Sequence, residues 1–188
     1  LYHSIEDSMH IKSNKFLLFS FLTLFFPYRL RKTTWPKVYV MDTYFLSTYM
    51  SSGYDKVKRA TRNEDIFSYE IVFFPIHLSK FKFNAKAKNN HWALAVVNLE
   101  KRNVSFYDSF YSTDRTEYML KIVDYLEHEY MEKGCPYPLN TSTFTLQHVK
   151  DIPKQQNGSD CGVFICQYSE FLSRNATFNF TYKDMKYF

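Results

Sequence analysis

The chain is 188 residues long, 45% hydrophobic and 20% aromatic, with a formal net charge of +5. That length fits one domain with room for a core. The modest positive charge suits an acidic partner, but no Lys/Arg run is long enough to make a convincing nucleic-acid patch.

Residues 1–35 are the least legible part. The apolar run from Lys15 to Phe26 is shorter than the ~20 residues needed to cross a bilayer. It follows Lys12 and Lys15 as a signal-peptide core would, yet Pro27-Tyr28-Arg29 stands where a small-residue cleavage site is required. It reads as a buried helix or strand, or as a stretch outside the functional domain. From Trp35 the pattern is that of a globular protein. Met41 to Met50 is expected to be helical, with Asp42 near its start and Gly53 past its end. Tyr54 to Asp65 is charged and reads as a solvated connection. Glu70 to Ile76 reads as a buried strand with Pro75 near its end. Lys80 to Asn90 is a basic stretch, expected to be a mobile surface loop.

Trp92 to Leu99 is a strong strand pattern, and Val104 to Tyr107 a second. Lys101-Arg102-Asn103 can turn between them, giving an antiparallel hairpin. His91 and Asp108 then fall at the same end of it, with a simple register setting Asp108 nearer Ala95. Asp114-Arg115-Thr116-Glu117 resembles a capping box. A helix to about Lys133 is expected behind it, buried through Met119, Leu120, Val123, Leu126 and Tyr130 and ended by Gly134. Residues 136–154 read as loop with a short strand over Thr143 to Val149. Asn175 to Phe188 is aromatic-rich and extended.

Between these lies Gln155-Gln156-Asn157-Gly158-Ser159-Asp160-Cys161-Gly162. From Cys161 onward, Phe164, Ile165, Tyr168, Phe171 and Leu172 recur at helical spacing, so Cys161 opens a helix that Asp160 or Ser159 can cap. Helix N-termini carry partial positive charge and unpaired N–H groups, an environment that favours a thiolate. Gln155 offers a side-chain amide suited to an oxyanion. A free cysteine is more commonly a small core residue, a lone histidine at a strand edge a structural one, and an aspartate closing a strand a turn residue. Together, however, Cys161, His91, Asp108 and Gln155 supply a nucleophile, a base, its orienting group and an oxyanion donor. The chain has three cysteines, at 135, 161 and 166. The odd number favours a reducing compartment over a disulfide framework, and the spacing matches no zinc site. The Asn-X-Ser/Thr matches at Asn103, Asn140, Asn157, Asn175 and Asn179 read as accidental in an intracellular protein.

Several ordered segments resemble one family, the SUMO-specific cysteine proteases (sentrin or Ulp-type, peptidase family C48). Tyr54-Asp-Lys-Val-Lys-Arg59 with Asp65-Ile-Phe-Ser68, Val72-Phe-Phe-Pro-Ile-His-Leu78, His91-Trp-Ala-Leu-Ala-Val-Val97, Phe106-Tyr-Asp-Ser109 and Ile152-Pro-Lys-Gln-Gln-Asn-Gly-Ser-Asp-Cys-Gly162 carry the likeness, with Phe178-Asn-Phe-Thr181 and Met185-Lys-Tyr-Phe188 after them. The resemblance covers about residues 36–188. It implies an α+β, papain-like fold with a mixed sheet flanked by helices and the nucleophile at a helix N-terminus. It also implies cleavage after the C-terminal Gly-Gly of SUMO. Cys161 is then the nucleophile and His91 the base and later the acid. Asp108 orients His91, and Gln155 with the Cys161 N–H forms the oxyanion hole. Trp92 covers the narrow glycine channel, and Arg59 and Gly162 contact substrate. The implied partners are SUMO and its conjugates, with no nucleic acid, no membrane, no metal or organic cofactor, a monomeric state, and residence in the nucleus with the cytoplasm as a second site.

The likeness departs from the family in places. The Trp-Leu-Asn-Asp segment expected near the family's start, which helps form the channel, is not found in residues 1–35. The basic loop before His91 is longer than the family's, and its lysines are expected to meet an acidic substrate face. Ala60 stands where the family has Trp, and the chain is expected to stop before the family's last helix. The alternatives are a weak or inactive SUMO-binding protein, the same chemistry on NEDD8 or ubiquitin, and an acyltransferase built on the same triad.

Overall fold

The computed structural model describes residues 35–78, 91–110, 114–135 and 137–187. The apolar run at Lys15 to Phe26 and the basic stretch at Lys80 to Asn90 lie outside them. Five strands form one mixed sheet in chain order: β1 (Val38–Val40), β2 (Ile71–His77), β3 (Trp92–Asn98), β4 (Asn103–Tyr107) and β5 (Thr145–Val149). The three central strands are antiparallel neighbours, and each edge strand runs parallel to the one inside it. Among the described residues, three helices flank the sheet: α1 (Phe45–Ser52), α2 (Thr116–Glu132) and α3 (Cys161–Ser173).

Strand alternation sends side chains to two separate cores. Val72, Phe74, Ala93, Ala95, Val97, Val104 and Phe106 face α1 and α2. Ile71, Phe73, Trp92, Leu94, Val96 and Tyr107 face α3. Because both faces are covered, β2 and β3 are apolar almost throughout, which is why they read as continuous runs.

Helix α1 starts later than its periodicity suggests. The Met41 N–H is taken by the Phe73 carbonyl at 2.8 Å, which extends the β1–β2 ladder. Asp42 then accepts the Tyr44 N–H at 2.7 Å and turns the chain into the helix. At α2, Asp114 accepts the Thr116 N–H at 2.9 Å and its hydroxyl at 2.6 Å, but the N-cap position falls on Arg115 with no side-chain cap bond, so the expected capping box is not formed. The buried face differs from expectation, since Leu120 is 55% exposed. The face is centred instead on Tyr118, Met119, Ile122, Tyr125 and Leu126, with Leu120 on the opposite side of the helix.

The 54–65 stretch is more than a solvated connection. Val57 and Thr61 are buried. Glu129, on α2 and 1% exposed, accepts the Tyr54 hydroxyl at 2.7 Å and the Thr61 hydroxyl at 2.6 Å. Lys133 lies 3.7 Å from the same carboxylate and donates to the carbonyls of Thr61 and Glu64, each at 2.9 Å. A buried carboxylate is tolerated only when paired and hydrogen-bonded in this way. Beyond α3, Phe178 and Phe180 fold back on Tyr168 and Phe171, with ring centroids 5.2–6.0 Å apart. A short 3₁₀ turn follows at Tyr182–Tyr187.

Candidate active site

The β3–β4 hairpin brings the first two groups together. Its register pairs Asn98 with Asn103 and Leu94 with Tyr107. The connection is therefore the four residues 99–102, with Arg102 at φ 47°, rather than a tight turn at 101–103. This moves Asp108 from its expected place near Ala95 to a position opposite Ala93. His91 becomes its diagonal neighbour, within side-chain reach. The His91 Nε2 lies 2.7 Å from Asp108 Oδ1. That same oxygen accepts the Phe110 N–H at 3.0 Å, which fixes the carboxylate's orientation. Both side chains are buried.

The third group arrives from the other side of the sheet. Helix α3 packs on β3 through Cys161, Phe164, Ile165 and Tyr168, in the same cluster as Trp92 and Leu94. This sets the first residue of α3 beside the residue preceding β3. The His91 imidazole accordingly interacts with both Asp108 and Cys161. With Nε2 committed to Asp108, Nδ1 is the nitrogen left for the sulfur. Burial works against a charged His91, but hydrogen bonds and charge from Asp108 and Cys161 outweigh it and raise the imidazole from 6.5 to about 9. The two partners therefore favour the imidazolium form of the ring. Cys161 itself is 1% exposed, so whatever reaches it must be slender.

The loop before α3 is ordered by its own side chains. Asn157 Oδ1 accepts the N–H groups of Ser159 and Asp160, each at 3.0 Å, and Asn157 Nδ2 donates to Asp160 Oδ2 at 2.7 Å. The expected caps work differently: Asp160 occupies the N-cap position but makes no side-chain bond to a helix N–H. Upstream, the Tyr168 hydroxyl donates to the Pro153 carbonyl. Lys154 Nζ donates to the Asp108 carbonyl at 2.7 Å, and burial lowers its pKa. Gln155 is buried; its N–H donates to the Ser109 carbonyl at 2.9 Å. Its side-chain oxygen accepts the Ser109 hydroxyl at 2.6 Å, and its Nε2 donates to the Asn157 carbonyl at 2.7 Å.

The structure thus brings His91, Asp108 and Cys161 into one cluster and ties Gln155 to it through Ser109. Gly162 is the second residue of α3 and is buried. Trp92 is beside the cluster but 1% exposed, with its ring 4.6 Å from that of His77. Arg59 is exposed in the 54–65 stretch, which packs on the α1–α2 side of the sheet rather than the α3 side. Three contributors were not singled out from sequence. Ser109 and Lys154 gave no local signal, while Asn157, in the turn-forming Asn-Gly-Ser-Asp, could have been found from the tendency of asparagine to bond N–H groups two and three residues on. Phe110, 41% exposed and 6.1 Å from the His91 ring, adds an aromatic surface at the edge of the cluster. Among the described residues no His/Cys/Asp/Glu group could hold a metal ion, and no helix is long and apolar enough to cross a membrane.

Comparison with known proteins gives a consistent result. The Ulp1 protease family, C-terminal catalytic domain, matches residues 17–188, beginning inside the apolar Lys15 to Phe26 run. A sentrin-specific protease of Caenorhabditis elegans is 42% identical over 154 residues, covering 82% of this chain and 20% of that protein. Sentrin-specific protease 2 of Homo sapiens is 33% identical over 162 residues, covering 85% of this chain and 26% of that protein. The chain therefore spans only a fifth to a quarter of the curated relatives it matches. Among solved structures, the SUMO protease Ulp1 with its catalytic cysteine oxidised to a sulfinic acid superposes with a TM-score of 0.72 at 22% identity, covering 98% of this chain and 78% of that one. The Ulp1 protease domain in complex with Smt3, the yeast orthologue of SUMO, gives a TM-score of 0.72 at 23% identity, covering 97% and 78%. The mixed sheet with flanking helices is the fold of those structures, and the extent of the family match and the identity to the sentrin-specific proteases place this chain in the Ulp1 family of cysteine proteases.

Proposed function

We propose that this chain is the catalytic domain of a thiol protease that cleaves after the C-terminal Gly-Gly of SUMO, both to release conjugates and to process precursors. The observation that carries the reading is the His91 imidazole held between Asp108 at 2.7 Å and Cys161 at the head of α3. The Cys161 thiolate attacks the carbonyl carbon of the terminal glycine. The oxyanion that forms is met by the second Gln155 amide N–H and by the Cys161 backbone N–H at the positive end of α3. His91 gives its proton to the departing amine, the C–N bond breaks and a thioester remains. Neutral His91 then takes a proton from water as its oxygen attacks the thioester; the C–S bond breaks, the acid is released, and the Cys161 thiolate and His91 imidazolium are restored. Asp108 keeps the ring in the tautomer and orientation that this sequence needs.

The near-complete burial of Cys161 supports a substrate end without side chains, as two glycines provide. Gly162 keeps the floor of that passage free of a side chain, and Trp92 supports its wall from beneath. Arg59 and its neighbours meet an acidic face of the modifier, well away from the scissile bond. The relatives at 33–42% identity, called sentrin-specific proteases, support SUMO over NEDD8 as the modifier. The test is labelling by SUMO and NEDD8 vinyl sulfones together with turnover of a SUMO C-terminal fluorogenic substrate. Wild type should react with the SUMO probe and turn the substrate over. Cys161→Ser should do neither while still binding SUMO. Binding without turnover in the wild type would leave a SUMO-binding protein in place of a protease.

A further inference from the structure

We infer that Ser109 is a positioning residue for oxyanion stabilisation, holding the Gln155 amide in the one orientation that aims an N–H at the reacting carbonyl. This rests on the reading of Gln155 as an oxyanion donor and adds the residue that makes it one.

A primary amide is nearly symmetric in shape, and turning it over exchanges its acceptor for its donors. Only one sense serves an oxyanion. Two contacts select it here. The Asn157 carbonyl, 2.7 Å from Nε2, can only accept, so the nitrogen must face it. The oxygen end then needs a donor, and the fully buried Ser109 hydroxyl supplies one at 2.6 Å. The turned-over amide would set two acceptors against each other at Asn157. With one amide hydrogen spent on Asn157, the second stays available for a ligand. The backbone repeats the tie, since the Gln155 N–H donates to the Ser109 carbonyl at 2.9 Å.

Ser109 also directly follows Asp108. One residue of this dipeptide holds His91 at 2.7 Å and the next holds Gln155 at 2.6 Å. Lys154, adjacent to Gln155, closes the arrangement by donating to the Asp108 carbonyl at 2.7 Å. The proton-transfer half of the site and the oxyanion half are therefore set by consecutive residues at the end of β4. Donors aimed in advance at the developing charge are worth more than donors that must reorient during the reaction.

The test compares Ser109→Ala, Gln155→Ala and the double variant in two assays: turnover of a SUMO C-terminal fluorogenic substrate, and alkylation of Cys161 by iodoacetamide. Alkylation needs the thiolate and the imidazolium but forms no oxyanion. Ser109→Ala is expected to lower kcat about tenfold, the scale of one lost hydrogen bond. KM and the alkylation rate should stay within about twofold of wild type. In the Gln155→Ala background the same substitution should cost nothing further. Ser109→Cys, which fills similar space with a weak donor, should lower kcat in the same way and guards against a packing defect in the alanine variant. Unchanged kcat in both Ser109 variants would overturn the inference. So would a fall in alkylation matching the fall in turnover, or an equal loss in the Gln155→Ala background. Full kcat in Gln155→Ala alone would instead sink the oxyanion reading of Gln155, and this inference with it.

Discussion

Removing the Asp108 carboxylate should change the shape of the pH–rate profile as well as its height. His91 is raised from its ordinary 6.5 to about 9. Burial opposes this, and bonds and charge from Asp108 and Cys161 drive it. The difference corresponds to an imidazolium favoured by on the order of 3 kcal/mol. Asp108→Ala deletes one of the two sources of that preference and leaves burial in place, so the imidazole should fall toward 6.5 or below. In the wild type, kcat/KM should hold up to about pH 9 and decline as the imidazolium loses the proton it owes the leaving amine. In Asp108→Ala that alkaline limb should retreat toward neutrality. The rate at neutral pH should drop by about 10²–10⁴, with SUMO affinity changed far less. The stability linkage has the same sign. A group with a raised folded-state value stabilises fully below its unfolded value and loses that contribution through its folded one. Denaturant stability of the wild type should therefore decline between pH 6.5 and about 9, and the variant should lack this decline. The assay is kcat/KM for the fluorogenic SUMO substrate from pH 5 to 10, a range of about five units around the two values. An alkaline limb that stays near 9 in Asp108→Ala would refute the reasoning.

The remaining predictions concern the supports of the site. Gln155→Ala should lower kcat by about 10²–10³, the usual cost of an oxyanion donor, read as a fall in kcat at constant KM. Glu129→Ala removes the acceptor shared by Tyr54 and Thr61 and the partner of Lys133. It should destabilise the fold by about 3–5 kcal/mol in urea denaturation, with Tyr54→Phe costing about 1–2 kcal/mol; a cost below that of Tyr54→Phe would refute the clamp. Tyr168→Phe leaves the Pro153 carbonyl without its hydroxyl donor and should cost about 1 kcal/mol while lowering kcat. Brief iodoacetamide treatment with peptide mapping should modify Cys161 well before Cys166, whose thiol is pushed up by burial. Comparable modification of both in native buffer would contradict the site assignment.

Much of this was legible beforehand. The apolar runs gave β2, β3 and β4 to within a residue or so because strands covered on both faces leave a strong pattern. The helix after Cys161 was equally plain, since its apolar residues recur without interruption. Periodicity failed where tertiary bonds set the answer. Met41 looked helical but its N–H was claimed by Phe73. Leu120 looked like a core residue, yet the buried face of α2 is turned toward Glu129, whose charge hid its burial. Thr61 and Val57 sat inside a charged stretch and gave no sign that α2 would clamp them. At the site, the residues whose chemistry is distinctive could be named from sequence. Ser109 could not be, because its contribution is the direction of a bond to Gln155, 46 positions further along the chain, and that direction exists only once the two are folded together.

The hairpin tip at residues 99–102 carries an obligation out of proportion to its distance from any chemistry. Each residue added there slides β4 along β3 by about 3.3 Å, and an odd number also turns its side chains to the opposite face. The gap between His91 and Asp108 is 2.7 Å, so even a face-preserving insertion of two would carry the carboxylate beyond reach of the ring. Surface loops usually absorb length changes without harm. This one sets the spacing of His91 and Asp108: lengthening it by two should abolish turnover, and a single-residue change, by turning Val104, Phe106 and Tyr107 off their cores, should cost stability as well.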